Sequence, residues 1–422
     1  MSSLTRTIRD VRVTPAQSRL AATSHVALKY QIYKHSCRGS AKTHVAQNAP
    51  LDQRPFSRKS RFTSLGTEQV IQLGGFLAFT PSSEPPTLAL AVAAAIGLPI
   101  ALWVYKCIMM VIFQRRIIYM GYVPPNARNE QIGVDVDVPK GLSWEEITLR
   151  GEGRIRLAGI LVRNASGATE APPLKTLIVY LQGNAGSPLG RLPKFQKLLS
   201  SLPSDTGILA VAPRSYWKSS RRGATEQGLL SDYTSVLSYA TGQYPSAKVI
   251  LYGHSLGGTI AICLAARLSA AEYPSVCGLV VENPFASIPD MVKALYPQKW
   301  LPYHYLGALV LDRWDAVQAI ETARPDSLLR KLSKNMMVLL SEHDELVPNS
   351  MGQAIFKASE KLAEGGEEGS RPRRMVFVKG ALHEHAWIKP SWLTEMRRYV
   401  DSVAPPQRRL TPGSFDKGYL IV

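Results

Sequence analysis

The sequence predicts an α/β protein with a mostly parallel central sheet and helices on both faces. Three observations support this class. Short apolar segments separated by helix-length segments recur near Leu177, Leu209, Ile250, Val280, Val338 and Phe377. Two segments with alternating patterns, 144–150 and 155–162, flank a glycine-containing turn and predict an antiparallel hairpin at the sheet edge. A strand, a tight turn and an apolar helix follow one another over residues 249–266.

The turn within that last segment carries the strongest functional signal. Its sequence, VILYGHSLGG over residues 249–258, places Ser255 between Gly253 and Gly257. A serine at such a nucleophile elbow has a strained backbone that exposes its hydroxyl, and the glycines make room for the turn. The pattern therefore predicts Ser255 as a catalytic nucleophile.

A serine nucleophile needs a general base and an acid that orients it, and both are expected later in the chain. Asp344 follows the predicted strand 335–341 and is our choice of acid, with Glu342 and Glu345 expected to be solvated. His383 follows the next predicted strand and is preferred as the base, while His385 remains the competing candidate.

The remaining requirement is a pair of N–H groups that bind the oxyanion of the intermediate. The strand 176–181 is followed by the loop 182–187, QGNAGS, which can turn a backbone N–H inward. We expect the donors to be the backbone N–H groups of Asn184 and Leu256. Of the other histidines, His254 is expected to have a structural role and His343 lies on the wrong loop. No Gly-Lys-Ser/Thr sequence follows the loop 182–187, so a nucleotide site is not predicted.

Five segments in this order resemble the serine hydrolases of the α/β-hydrolase fold: QGNAG at 182–186, GHSLGG at 253–258, ENPF at 282–285, DELVP at 344–348, and His383. The chain is most similar to the membrane-anchored α/β-hydrolase-domain proteins of fungi and animals, over residues 117–400. The resemblance implies a lipid esterase or acyl-protein thioesterase that uses Ser255, His383 and Asp344. In two places the chain departs from the family pattern. Gln182 replaces the usual histidine, and the loop 212–220 lacks both family glycines, which leaves its conformation open.

The predicted function is hydrolysis of carboxylic esters or thioesters, with lipid-like or acylated substrates. A serine peptidase of the same fold and a catalytically silent membrane scaffold are the alternatives. The triad chemistry requires no cofactor, and the scattered cysteines predict neither a metal site nor a disulfide framework. Cys107, beside the apolar segment, is a candidate acylation site, although a buried thiol is the simpler expectation. The oligomeric state is left open.

Composition divides the chain into four regions: a disordered basic region at 1–86, a transmembrane helix at 87–113, a hydrolase domain at 114–403, and a tail at 404–422. Residues 1–61 contain twelve Arg and Lys but only two acids, whereas the whole chain has a formal net charge of +18. This excess is not interleaved with a recognisable nucleic-acid-binding fold, so nucleic acid is not a predicted partner. Residues 285–332 form either a candidate cap insertion or ordinary helices packed on the domain, and 363–374 an exposed polar loop.

Residues 87–105 contain no charge, and a second apolar run follows Lys106. Their combined length suffices to cross a bilayer. A buried core helix is the alternative, because Pro99 would kink the segment. The sequence thus predicts a single-pass protein of an endomembrane such as the endoplasmic reticulum. Arg115 and Arg116 near the C-terminal end favour a cytoplasmic catalytic domain, whereas the basic residues at 58–61 favour the opposite orientation.

Overall fold

The computed structural model of the protein describes residues 87–165, 172–363 and 374–405. The predictions for the basic region 1–86, for nearly all of the loop 363–374 and for most of the tail lie outside the described residues. The chain divides into two units, 1–93 and 94–422.

The central feature is an eight-stranded sheet of the order β1-β2-β4-β3-β5-β6-β7-β8. The strands are β1 Leu142–Arg150, β2 Arg156–Asn164, β3 Thr176–Leu181, β4 Thr206–Val211, β5 Lys248–His254, β6 Val276–Glu282, β7 Met337–Ser341 and β8 Arg374–Val378. β1 pairs with β2 and β2 with β4 in antiparallel fashion, and all pairs from β4 to β8 are parallel. The predicted α/β class, the edge hairpin and the parallel strands are confirmed.

The helices are α1 Leu88–Ile112, α2 Gln114–Ile118, α3 Leu192–Leu199, α4 Glu226–Gln243, α5 Leu256–Arg267, α6 Ile288–Leu295, α7 Ala316–Glu321, α8 Leu328–Ser333, α9 Asn349–Ala363 and α10 Pro390–Val403. Short 3₁₀ helices cover Glu152–Arg154, Pro188–Arg191, Pro302–Leu309 and Ala386–Ile388.

The central strands are buried along their whole length, as expected for parallel strands covered on both faces. Every residue of β3, β4 and β7 is buried, and all but the first of β5. The helix α5 follows β5 directly, and ten of its residues are buried. Ser255, the 182–187 loop, Asp344 and His383 all follow carboxyl ends of parallel strands, which is where this architecture places its sites.

α1 is, among the described residues, the one helix long and apolar enough to cross a membrane. It has a mean hydropathy of 2.2 over its best window, and none of its residues is buried. Burial therefore does not support the alternative of a core helix. Cys107, at its C-terminal end, is a half-buried free thiol.

Candidate active site

Ser255 lies at a sharp turn between β5 and α5, with φ of 55° and ψ of −122°. A non-glycine residue with positive φ is uncommon and marks a strained turn. A Cβ at Gly253 would lie 2.2 Å from the Gly257 carbonyl oxygen, and one at Gly257 would lie 2.0 Å from the Leu181 oxygen. Both positions therefore accept only glycine. The Ser255 N–H donates to the Glu282 carbonyl oxygen at 2.8 Å, which ties the elbow to β6.

The structure brings the predicted acid and base into contact. Asp344 Oδ2 lies 2.7 Å from His383 Nδ1, and the exposed fractions of the two side chains are 1% and 2%. Asp344 Oδ1 accepts the N–H groups of Leu346 and Val347 at 2.9 and 2.8 Å. Because a tight turn holds one carboxylate oxygen, the other is fixed in direction towards the imidazole.

The backbone of His383 is held on both sides. Its carbonyl oxygen accepts a hydrogen bond from Asn283 Nδ2 at 2.8 Å and lies 3.1 Å from His254 Nε2. Its N–H donates to Glu345 Oε2 at 3.0 Å. The Asn283 side chain also bonds the backbone N–H and the hydroxyl of Ser341. Asn283 thus clamps the base loop to the end of β7.

Glu342 and Glu345 are both exposed, as expected for solvated carboxylates. Each also has a structural contact: Glu345 accepts the His383 N–H, and Glu342 accepts the N–H of Gly380 at 2.8 Å. The signal for this role was their position on the loop that faces the histidine loop. The competing base His385 is half-buried, precedes a 3₁₀ helix, and its Nδ1 has no hydrogen-bond partner among the described residues.

The two histidines near the elbow differ in their electrostatics. Burial would lower the pKa of His383, but the hydrogen bond and charge of Asp344 outweigh it and raise that pKa above 6.5. Burial lowers the pKa of His254 to about 4, so it is neutral at physiological pH. Its ring lies 5.1 Å from that of His383. A neutral His254 can donate from Nε2 to the His383 carbonyl without opposing protonation of the base.

The predicted oxyanion loop packs against the elbow, since a Cβ at Gly183 would lie 3.6 Å from the Ser255 Cβ. Within the described part of the chain, the N–H groups of Asn184 and Leu256 donate to no protein acceptor. The carbonyl oxygen of Asn184 is engaged, because the Met120 N–H and the Tyr216 hydroxyl donate to it at 2.7 and 3.0 Å. The loop is therefore held through its carbonyl while the two N–H groups remain available.

The loop 212–220, whose conformation the sequence left open, supports this arrangement with aromatic side chains. Tyr216 and Trp217 are both 1% exposed, and Trp217 has a positive φ of 36°. Trp217 Nε1 donates to the Glu130 carbonyl oxygen at 2.9 Å. Gln182, at the family's histidine position, is buried and its Nε2 donates to the Gly186 oxygen at 3.4 Å.

A buried ion pair that the sequence did not predict lies behind the elbow. Lys194 Nζ on α3 is 2.6 Å from Glu282 Oε2 at the end of β6, and the side chains are 4% and 1% exposed. The Tyr252 hydroxyl donates to the same carboxylate oxygen. Burial alone would raise the pKa of Glu282, but Lys194, His254 and Tyr252 together hold it below its ordinary value.

One group of potential metal ligands occurs among the described residues: His254, His383 and Glu384, with ligand atoms within 4.8 Å of one another. Each has another engagement, with the His383 carbonyl, with Asp344 and with Arg191 respectively. The group is therefore better suited to positioning and proton transfer than to metal binding.

The candidate cap 285–332 has two kinds of aromatic residue. Trp314 is fully buried and its Nε1 donates to the Tyr119 hydroxyl at 2.8 Å, and Tyr303 is buried as well. Trp300 and Tyr305 are exposed by 70% and 62%. A surface groove of about 570 Å³ lies between α4, α5 and α7, and none of the predicted catalytic residues lines it.

Several known proteins are similar in sequence to this chain. A family model described as "Serine aminopeptidase, S33" matches residues 218–313. Protein bem46 of Schizosaccharomyces pombe is 28% identical over 58% of this chain and 74% of its own length. WAV2, an α/β-hydrolase domain-containing protein of Arabidopsis thaliana, is 22% identical over 72% of this chain and 93% of its length. The lysophosphatidylserine lipase ABHD12 of Mus musculus is 28% identical over 55% of this chain and 57% of its length.

Two solved esterases have similar chain paths. Pf2001 of Pyrococcus furiosus has a TM-score of 0.46 at 15% identity and covers 62% of this chain and 92% of its own. Est1E of Butyrivibrio proteoclasticus, bound to ferulic acid, has a TM-score of 0.44 at 16% identity and covers 61% of this chain and 98% of its own. By its ordered motifs, its sheet and these relatives, the chain is similar to the serine hydrolases of the α/β-hydrolase fold, and among them to the α/β-hydrolase-domain proteins.

Proposed function

We propose that this chain is a membrane-anchored esterase that cleaves ester or thioester bonds of lipid-like or acylated substrates with Ser255, His383 and Asp344. One observation carries the proposal: the buried 2.7 Å contact between His383 and Asp344, on loops that end at the same sheet edge as the Ser255 elbow. Substrates of this class are favoured because ABHD12, a relative, is named a lysophosphatidylserine lipase.

In the proposed reaction, Ser255 Oγ attacks the substrate carbonyl carbon while its proton passes to His383 Nε2. The N–H groups of Asn184 and Leu256 hold the oxyanion, and Asp344 stabilises the imidazolium. The intermediate then collapses and expels the alcohol or thiol, which takes the proton from His383. Water repeats the sequence on the acyl-enzyme and releases the carboxylic acid.

The test is a substrate panel with the purified full chain in nanodiscs: lysophosphatidylserine, an acyl thioester and an amino-acid anilide. Ser255→Ala should lower the rate on the preferred substrate at least ~10³-fold, whereas Ser350→Ala, an exposed serine on α9, should leave it unchanged. An unchanged rate in Ser255→Ala would reject the assignment. Preference for the anilide would instead favour a peptidase, the activity named by the matching family model.

The anchoring itself is part of the proposal. α1 would cross the bilayer once, in an endomembrane such as the endoplasmic reticulum, with the catalytic domain on the cytoplasmic side. Its support is the apolar, unburied helix with Arg115 and Arg116 just beyond its C-terminal end. Resistance to alkaline carbonate extraction tests the anchoring, and protease protection of tagged termini tests the orientation.

A further inference from the structure

The segment 291–311, which begins within α6 and includes the 3₁₀ helix Pro302–Leu309, has an unusual composition. It contains no Asp or Glu and includes two lysines, Lys293 and Lys299. Five of its large apolar or aromatic side chains are exposed by more than half: Leu295 61%, Trp300 70%, Tyr305 62%, Leu309 55% and Leu311 66%. Single exposed leucines are ordinary, but such a concentration within one short acid-free segment marks a surface that binds something apolar.

The same segment is attached to the C-terminal half of α1. The rings of Trp103 and Trp300 are 6.0 Å apart, and Lys106 Nζ lies 4.7 Å from the centre of the Tyr303 ring. Beyond α1, the Gln114 side chain bonds the Leu309 carbonyl oxygen at 3.2 Å and the Leu311 N–H at 2.7 Å.

An ion pair completes the attachment. Arg115 binds both carboxylate oxygens of the buried Asp312 at 2.9 and 3.3 Å. These contacts extend from Trp300 to Leu311 and on to the adjoining Asp312. The second half of the segment therefore lies along the C-terminal part of α1 and the residues that follow it.

The contact between Trp103 and Trp300 lies at the end of the uncharged run. Trp103 precedes Lys106, the first charge after that run, by about one helical turn. Tryptophan, tyrosine and lysine at the end of an apolar helix are typical of the zone between the hydrocarbon core and the headgroups. Trp300 contacts Trp103 and so lies at the same level, and its exposed neighbour Lys299 can face the headgroups.

We propose that the 291–311 segment lies in the bilayer surface beside α1, with its exposed apolar side chains inserted among the lipids. This inference rests on the proposed anchoring by α1. The occupant of the surface is lipid rather than a second protein, because an anchored helix already places Trp300 at the level of the bilayer interface. This contact would hold the candidate cap at the membrane, where a lipid-like substrate resides.

Tryptophan quenching tests the contact without reference to activity. The full chain is reconstituted with lipids that carry a nitroxide near the headgroup, and the quenched fraction of tryptophan emission is measured. Trp300→Phe should lower that fraction, because an accessible tryptophan is lost. The matched variant Trp144→Phe, which removes a 41% exposed tryptophan on the edge strand β1, should raise it. A rise in both variants would overturn the proposal.

A second arm uses the reaction. For a vesicle-borne lysolipid, kcat/KM should fall roughly tenfold in the double variant Trp300→Ser/Leu309→Ser, while hydrolysis of a soluble aryl ester stays unchanged. Trp144→Ser should behave as the wild type on both substrates. Equal rates of the double variant and the wild type on vesicles would overturn the inference. Failure of the proposed function would give different results. Activity that does not depend on Ser255 would reject the catalytic proposal, and extraction of the chain by alkaline carbonate would reject the anchoring.

Discussion

The buried Lys194–Glu282 pair gives a prediction whose size follows from the structure. Lys194→Met keeps much of the side-chain volume but removes the cation beside the Glu282 carboxylate, which is 1% exposed. The Tyr252 hydroxyl is then the remaining side-chain donor to Glu282. Breaking a buried ion pair in this way costs about 3–5 kcal/mol of the free energy of unfolding. For a domain of this size, each kcal/mol lowers Tm by about 2–4 °C, so we expect a loss of about 6–20 °C.

Thermal unfolding of the full chain in detergent measures this loss. Lys197→Met, on the same helix α3 but half-exposed and bonded to the Ile388 oxygen, is the control and should cost less than about 1 kcal/mol. The double variant Lys194→Met/Glu282→Gln should be more stable than Lys194→Met, because no unpaired charge remains buried. In the single variant the pKa of Glu282 rises, so its deficit should shrink between pH 8 and pH 5 as the carboxyl protonates. A double variant less stable than the single one would refute the reasoning.

Three further predictions concern the site. Asp344→Asn should lower kcat/KM about 10³–10⁴-fold. In the wild type, kcat/KM should fall as the pH drops, with a midpoint above pH 6.5, because His383 works as an unprotonated base and its pKa is raised. A midpoint below that pH would contradict the coupling between His383 and Asp344. Asn283→Ala should lower the free energy of unfolding by about 1–3 kcal/mol, measured by Tm, through the unsatisfied Ser341 N–H; no change would contradict the clamp. The pKa of His254 is about 4 in the folded chain, against an ordinary value of 6.5. The wild type should therefore lose about 3 kcal/mol of its free energy of unfolding as the pH falls through that window. Thermal unfolding of His254→Gln over the same pH range should show a smaller loss.

Most of the fold could be predicted from local sequence patterns. Parallel strands buried on both faces consist of nearly continuous apolar residues, so the segments around Ile250 and Val338 are visible in the sequence. The elbow was predictable because Gly253 and Gly257 meet backbone atoms that no Cβ could approach. The order of the edge strands is less accessible, since the pairing of β2 with β4 depends on contacts distant in sequence.

The supporting residues of the site show where sequence patterns end. Lys194 and Glu282 are 88 residues apart and lie on elements whose individual patterns give no reason to pair them. The hydrogen bond from Asn283 to the His383 carbonyl joins residues 100 apart. Tyr216, in a loop that lacks the expected glycines, supports Asn184 from a direction that only the packed structure defines.

The most direct test of the proposed site is the location and pH dependence of covalent labelling by a fluorophosphonate. We expect one adduct, on Ser255 Oγ, formed at a rate that falls with protonation of His383 and that drops at least ~10³-fold in His383→Ala. An adduct on another residue, or labelling of His383→Ala as fast as the wild type, would contradict the proposal that these side chains act together.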